Sequence, residues 1–348
     1  MTKKSNNTRI IVNKKKHFQI TDDNFNIHGL YWYPKSHNFH RLNDKIFIDN
    51  QIDLLQKHSS GGYLSFQSDS TSIGLKVTLA SAAYMHHMSA IGQIGLDLYV
   101  KEKNKYIFIA STKINEDNYE LTLINDFPKK LRQYRLYFPT YIELKHLEII
   151  LDQEASIQKA ESVLDRKLVC YGTSITQGAC ASRPGMSYSS ILGRYVDYEV
   201  INLGFSGNAN LHYEIAKLIT QIQGIEILIM EVEANAGSKG VLKERLEDFV
   251  KEIVSNLPNI KIFLISNYPN PLALFDPNLS NRINTNREFQ KNLCNKYHQM
   301  KFIDGERVMK SLNFDETVDG IHLTDLGFYM IAKEMIKEIN KISFDIEN

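Results

Sequence analysis

Near residue 160 the hydrophobic rhythm of this chain changes, so one sheet or one bundle cannot hold both halves. From Phe18 to Ile157 the runs "KIFIDNQ", "GGYLSFQSDS", "SIGLKVTLA", "IGLDLYVK", "KYIFIAST", "YELTLIND", "YRLYFPT" and "HLEIILD" alternate apolar and polar residues between turn clusters. Period-two alternation with β-branched and aromatic residues predicts strands that bury one face, here a β-sandwich. Beyond "QKAESVLDRK" the runs "KLVCYG", "YEVINLGF", "IEILIMEVEA", "IKIFLISN" and "KFIDG" are mostly apolar. They alternate with helix-like stretches: "SYSSILGRYV", "NLHYEIAKLITQI", "KGVLKERLEDFVKEIVSNL" and "DLGFYMIAKEMIKEINKI". In the last of these Leu326, Met330, Ile331, Met335, Ile336 and Ile339 share one helical face. Five such strands alternating with helices predict a parallel sheet covered on both sides, a three-layer α/β/α domain. The expected organisation is a frayed tail over 1–15, a β-sandwich over 16–160 and the α/β domain over 161–348.

Charge narrows the partners. Lys plus Arg number 41 against 40 Asp plus Glu, a formal net charge of +1. No global field draws the chain to nucleic acid or to anionic lipid, so a small or neutral molecule is the expected partner. The N-terminus is basic but has no continuous apolar stretch of the secretory kind, and no apolar run reaches bilayer length. Cys170, Cys180 and Cys294 show no metal-ligand spacing. They are expected to be reduced thiols in a cytoplasmic protein without membrane insertion. The sequence sets no oligomeric state.

In an open parallel sheet, ligands bind outside the carboxyl ends of the strands. "GTS", "GFSGN", "EAN" and "SNYPN" all fall there. Ser174 in "VCYGTSITQG" follows the first parallel strand and precedes a helix, where a serine is either a cap or an exposed nucleophile. The segment "TVDGIHLTDLGF" supplies what a nucleophile would need. Asp319 can accept the Nδ1–H of His322 across a tight loop, which fixes the tautomer and leaves Nε2 as a base. Acyl transfer also needs donors for an oxyanion, and the Ser174 N–H, the Gly207 N–H and the Asn235 side chain all lie at strand ends.

Together these blocks, "YGTSITQG", "NLGFSG", "EAN" and "VDGIH", resemble an SGNH (GDSL-type) hydrolase, a flavodoxin-like fold. The resemblance implies Ser174 as nucleophile, Gly207 and Asn235 completing the oxyanion hole with the Ser174 amide, His322 as base and then acid, and Asp319 as its orienter. It extends to a branch whose upstream β-rich domain carries a "GxDLY" motif, here "GLDLY" over Gly95–Tyr99. Two positions depart from the pattern. Thr173 stands where the family has an aspartate before the nucleophile, and the third block reads "EVEANAG" rather than Gly-x-Asn-Asp.

The resemblance implies a serine esterase without metal or organic cofactor. It would remove a small acyl group, O-acetyl above all, from a carbohydrate or glycoconjugate. An acyltransferase using the same Ser-His-Asp site, and a non-catalytic carbohydrate-binding or scaffold protein, are the alternatives. Arg183 in "CASRPG" could hold a polar substrate group or form a loop salt bridge, and Glu231 and Glu233 place acid close to the site, where one of them could touch substrate or both be structural or solvated. His86 and His87, adjacent on the chain, point to opposite faces if they lie on a strand and so make a poor metal pair. Asp97 and Tyr99 are expected to anchor the sandwich or its contact with the catalytic domain. Trp32 could line a sugar surface or pack against the second domain.

Overall fold

The computed structural model describes residues 14–20, 23–43, 45–81, 84–113, 116–160, 164–309 and 313–346. All of the expected N-terminal tail except Lys14 and Lys15 falls outside them. The first half is antiparallel. Its strands are β1 (Lys15–Gln19), β2 (Asn26–His28), β3 (Tyr63–Ser68), β4 (Ile73–Leu79), β5 (Asp97–Glu102), β6 (Lys105–Ser111), β7 (Asn118–Ile124), β8 (Arg132–Tyr137), β9 (Leu144–Asp152) and β10 (Ile157–Lys159). One sheet runs β1-β9-β4-β7; the other runs β10-β3-β8-β5-β6, with β2 also paired to β3. The alternation expected from sequence is the alternation of this core. Leu75, Val77, Leu147, Ile149 and Leu151 face Leu64, Phe66, Leu98 and Leu136 in one apolar layer.

The second half adds β11 (Lys167–Gly172), β12 (Glu199–Gly204), β13 (Ile225–Glu231), β14 (Lys261–Ile265) and β15 (Met300–Ile303). They form a parallel sheet in the order β12-β11-β13-β14-β15. Val169 and Tyr171 of β11 enter the core on one face, Leu168 and Cys170 the core on the other. This two-sided burial is why these strands read as continuous apolar runs rather than as alternating ones. The helix Asp325–Ile346 lays Phe328, Ile331, Met335 and Ile339 into the second core.

Two local outcomes differ from the sequence reading. The "KIFIDNQ" run is not a strand. Ile46 and Ile48 are half-buried against the catalytic core while Phe47 is exposed, so the alternation is real, but no strand among the described residues pairs with it. Asp49 then caps the helix Asn50–Gln56, its Oδ1 accepting the amides of Gln51 and Ile52, both at 2.8 Å. The helix Pro277–Cys294 was not singled out in the sequence because two of its five buried residues, Asn286 and Gln290, are polar.

The halves share an interior. Trp32, Leu42, Ile52 and Leu55 of the first half are buried within the core of the second, so Trp32 is a docking residue and not an exposed sugar platform. Arg41 is wholly buried beside them. Its guanidinium donates to the carbonyls of Gly204, Leu55 (2.6 Å) and His58 (2.8 Å) and lies over the Phe205 ring at 4.8 Å. Burial pulls its pKa down to about 9, so it remains a cation at neutral pH. Gly61 (φ +79°) lets the two halves approach closely, since an added Cβ would meet Asn202 Cβ at 2.4 Å.

Candidate active site

Strand β11 ends at Gly172, and the next residue decides what Ser174 is free to do. Thr173 is the cap of the helix Ser174–Gln177: its Oγ1 accepts the Ile175 amide at 3.2 Å and donates to Glu231 Oε2 at 2.7 Å. With the capping role filled, the Ser174 hydroxyl is available. Ser174 Oγ lies 2.9 Å from His322 Nε2.

The loop carrying the imidazole is closed by an isolated bridge between Thr317 and Leu323. Inside it, Asp319 Oδ1 accepts the amides of Ile321 (3.0 Å) and His322 (2.7 Å), and Oδ2 accepts His322 Nδ1–H at 2.8 Å. That bond places the ring proton on Nδ1 and leaves the Nε2 lone pair facing the serine. Burial works to raise the Asp319 carboxyl, but the side-chain and backbone bonds from His322 outweigh it and hold the group at about 2.

The three expected oxyanion donors stand at the ends of the adjacent strands β12, β11 and β13. Among the described residues no partner takes the Ser174 amide, the Gly207 amide or Asn235 Nδ2. Asn235 Oδ1 accepts the Ala209 amide at 3.2 Å, which orients the side chain and leaves its NH2 unspent. Gly207 has φ +69°, a conformation that costs a side-chain-bearing residue energy, and its carbonyl is held by Lys239 Nζ at 2.9 Å.

Glu231, at the end of β13, is buried beneath this assembly. It accepts from Thr173 Oγ1, from the Thr173 amide at 3.3 Å and from Thr176 Oγ1 at 3.2 Å. Desolvation pushes its carboxyl from 4.5 up to about 7, against the pull of those bonds. The folded chain therefore keeps a proton that the unfolded chain releases between those pH values. The Glu231 contribution to stability should be full below about pH 4.5 and shrink by about 3 kcal/mol as pH rises to about 7. In Glu231→Gln that slope should vanish, read as the urea midpoint against pH. An unchanged slope would move its origin to another group.

Two candidate substrate contacts are placed differently by the structure. Arg183 makes the loop salt bridge, the alternative to a substrate contact. Its Nη1 donates to the buried Asp97 Oδ2 at 3.0 Å and to Tyr99 OH, and Gly185 N joins the same carboxylate at 2.9 Å. The "GLDLY" pair thus anchors the loop that follows the nucleophile helix, and a buried carboxylate holds an arginine more strongly than an open cleft could. Glu233 is 3 % exposed, with Oε2 accepting from the Asn267 amide (2.8 Å) and Gln290 Nε2 (2.6 Å). It lines a cavity of about 160 Å³ with Ile175, Ala234, Tyr268 and Ile321.

Three contributors escaped the sequence reading. Gln177, in the turn after Ser174, is gripped by the first half: Nε2 lies 3.0 Å from His58 Nδ1 and donates to Thr140 O at 3.1 Å, while Oε1 accepts the Ser206 amide at 3.0 Å. His87 lies beside the catalytic loop, its ring 5.1 Å from that of His322 at 39°. Cys180 takes a left-handed backbone (φ +68°) and donates its thiol to the His87 carbonyl at 3.3 Å. Burial, then the Asp319 charge, pushes that thiol up to about 12, so it is not a nucleophile at neutral pH. The paired histidines were the available signal for His87; reading them as a strand hid it, since they sit in a turn.

Residues 165–340 match the model of the GDSL-like lipase/acylhydrolase family. The chain belongs to this family. Residues 15–157 of the acylhydrolase match a second model, the GxDLY N-terminal domain of SGNH-hydrolase-type esterases. Among solved structures it is similar to a protein from Bacteroides ovatus described as a GDSL-like lipase, with 28% identity, TM-score 0.87, and 94% of this chain and 98% of that one covered. It shares the fold of the salicylyl-acyltransferase SsfX3 of a tetracycline biosynthetic pathway (17%, TM-score 0.75, 94% and 98% covered). The same holds for an acetyl xylan esterase from the rumen bacterium Butyrivibrio proteoclasticus (13%, TM-score 0.58, 94% and 99% covered). No curated protein matches the chain. This GDSL-like acylhydrolase is an esterase-type hydrolase with an antiparallel first half and a five-stranded parallel sheet.

Proposed function

We propose that the chain is a serine esterase that removes a small acyl group, O-acetyl above all, from a carbohydrate or glycoconjugate. The observation that carries this is the 2.9 Å approach of Ser174 Oγ to an His322 Nε2 whose ring is held by Asp319. His322 takes the serine proton as Oγ attacks the ester carbonyl. The oxyanion receives the amides of Ser174 and Gly207 and the Asn235 NH2, and His322 returns the proton to the departing sugar hydroxyl. Water, activated by the same imidazole, then releases the acid. Asp319 stays ionised throughout and stabilises the imidazolium. A cavity of about 160 Å³ lined by Ile175 and Ile321, the chain neighbours of Ser174 and His322, suits an acetyl better than a long acyl chain. The acetyl xylan esterase with the same fold supports a saccharide substrate. Three unpaired, buried thiols support work in a reducing, cytoplasmic compartment.

The salicylyl-acyltransferase of this fold favours one second reading, transfer of the acyl group to another hydroxyl or amine. A panel of acetylated saccharides, assayed for acetate with and without added acceptors, separates the two. Hydrolysis should proceed at full rate without acceptor; acylated acceptor seen by mass spectrometry at the expense of acetate would favour transfer. Absence of labelling by a fluorophosphonate would end both and leave a binding protein. Within the esterase, Asn235→Ala should lower kcat about 10²-fold, the effect of removing one oxyanion donor, with KM little changed. A loss confined to KM would place Asn235 in ground-state binding.

A further inference from the structure

His87, Cys180 and His322 come from three separate parts of the chain: the turn between β4 and β5, the turn after the nucleophile helix, and the catalytic loop. One ring nitrogen of each imidazole and the Cys180 sulfur all lie within 4.8 Å of one another. His87 Nδ1 is buried and has no hydrogen-bond partner among the described residues, a nitrogen left over by the fold. Two imidazoles and a thiol are the donor set of borderline-soft divalent ions, and adjustments of about 1 Å among these side chains would bring them to tetrahedral ligand spacing.

We infer that these three side chains form a Zn²⁺-type site whose occupation switches the esterase off. The ion takes Cys180 Sγ as the thiol proton leaves to solvent, one nitrogen of His87 and one of His322, with water in the fourth position. Either choice at His322 disables the base. If the metal takes Nε2, the lone pair that would receive the serine proton is consumed. If it takes Nδ1, the Asp319 bond breaks, the remaining ring proton sits on Nε2, and that nitrogen can no longer accept one. This is control by an inhibitory ion, not a catalytic metal. The switching half rests on the esterase reading; the metal-binding half does not.

Zn²⁺ titrated into the purified protein during aryl acetate hydrolysis should inhibit in the micromolar range, reversed by EDTA. Cys180→Ser and His87→Ala should each raise the half-inhibiting concentration tenfold or more. Co²⁺ added to the wild type should give the near-ultraviolet thiolate-to-metal absorption band, lost in Cys180→Ser. Equal inhibition of all three proteins would mean that zinc takes His322 alone, and would overturn the site. Co²⁺ without a thiolate band would overturn it independently of activity. A band with no loss of hydrolysis would keep the site and overturn the switch.

Discussion

Ser174→Ala should lower kcat on an acetyl ester by at least about 10⁴-fold while leaving the fold intact. Among the described residues Ser174 Oγ has one side-chain partner, His322 Nε2, so removing it leaves the imidazole still held by Asp319. What survives would be the activity of the oxyanion donors and binding alone. The check is a pre-steady-state assay with an aryl acetate, where the acyl-enzyme burst should vanish together with turnover. Circular dichroism should remain that of the wild type. A variant that kept its burst would place the nucleophile elsewhere. Adding His322→Ala to Ser174→Ala should cost little further, because the two act as a unit.

Arg41→Met should cost about 5 kcal/mol of stability, the largest effect expected from one residue outside the catalytic set. The substituent fills the stem of the site but donates nothing, so the carbonyls of Gly204, Leu55 and His58 would each lose the charged donor, Leu55 keeping the His58 amide at 3.2 Å. No carboxylate lies against Arg41 among the described residues, so the loss is one of hydrogen bonds to a charged donor and not of an ion pair. Gly204 ends β12 and leads into Phe205 and Gly207, so activity should fall along with the urea midpoint. A midpoint shift below about 1 kcal/mol would show that the interior relaxes or hydrates around the lost cation.

The plan of both halves was legible because it rests on local rhythm. Alternation gave the sandwich core, and apolar strands between helices gave the parallel sheet. The order of serine, glycine, asparagine, aspartate and histidine was legible because each follows a strand or opens a helix. What escaped depends on contacts distant in sequence. "KIFIDNQ" has a strand's alternation but no neighbour to pair with. Arg183 finds its carboxylate 86 residues upstream, and Gln177 is held from 119 residues away. His87 reaches the catalytic loop from the other half of the molecule, which no local pattern encodes.

Thr173 donates to the Glu231 carboxylate across the end of the sheet, from its hydroxyl and from its amide. An acidic residue at 173 would set two carboxyl groups face to face in a dry pocket, and an apolar one at 231 would leave the threonine hydroxyl to find another acceptor. Lineages related to this chain should therefore exchange the two positions in tandem: an aspartate ahead of the serine should travel with an uncharged residue at the close of the third parallel strand.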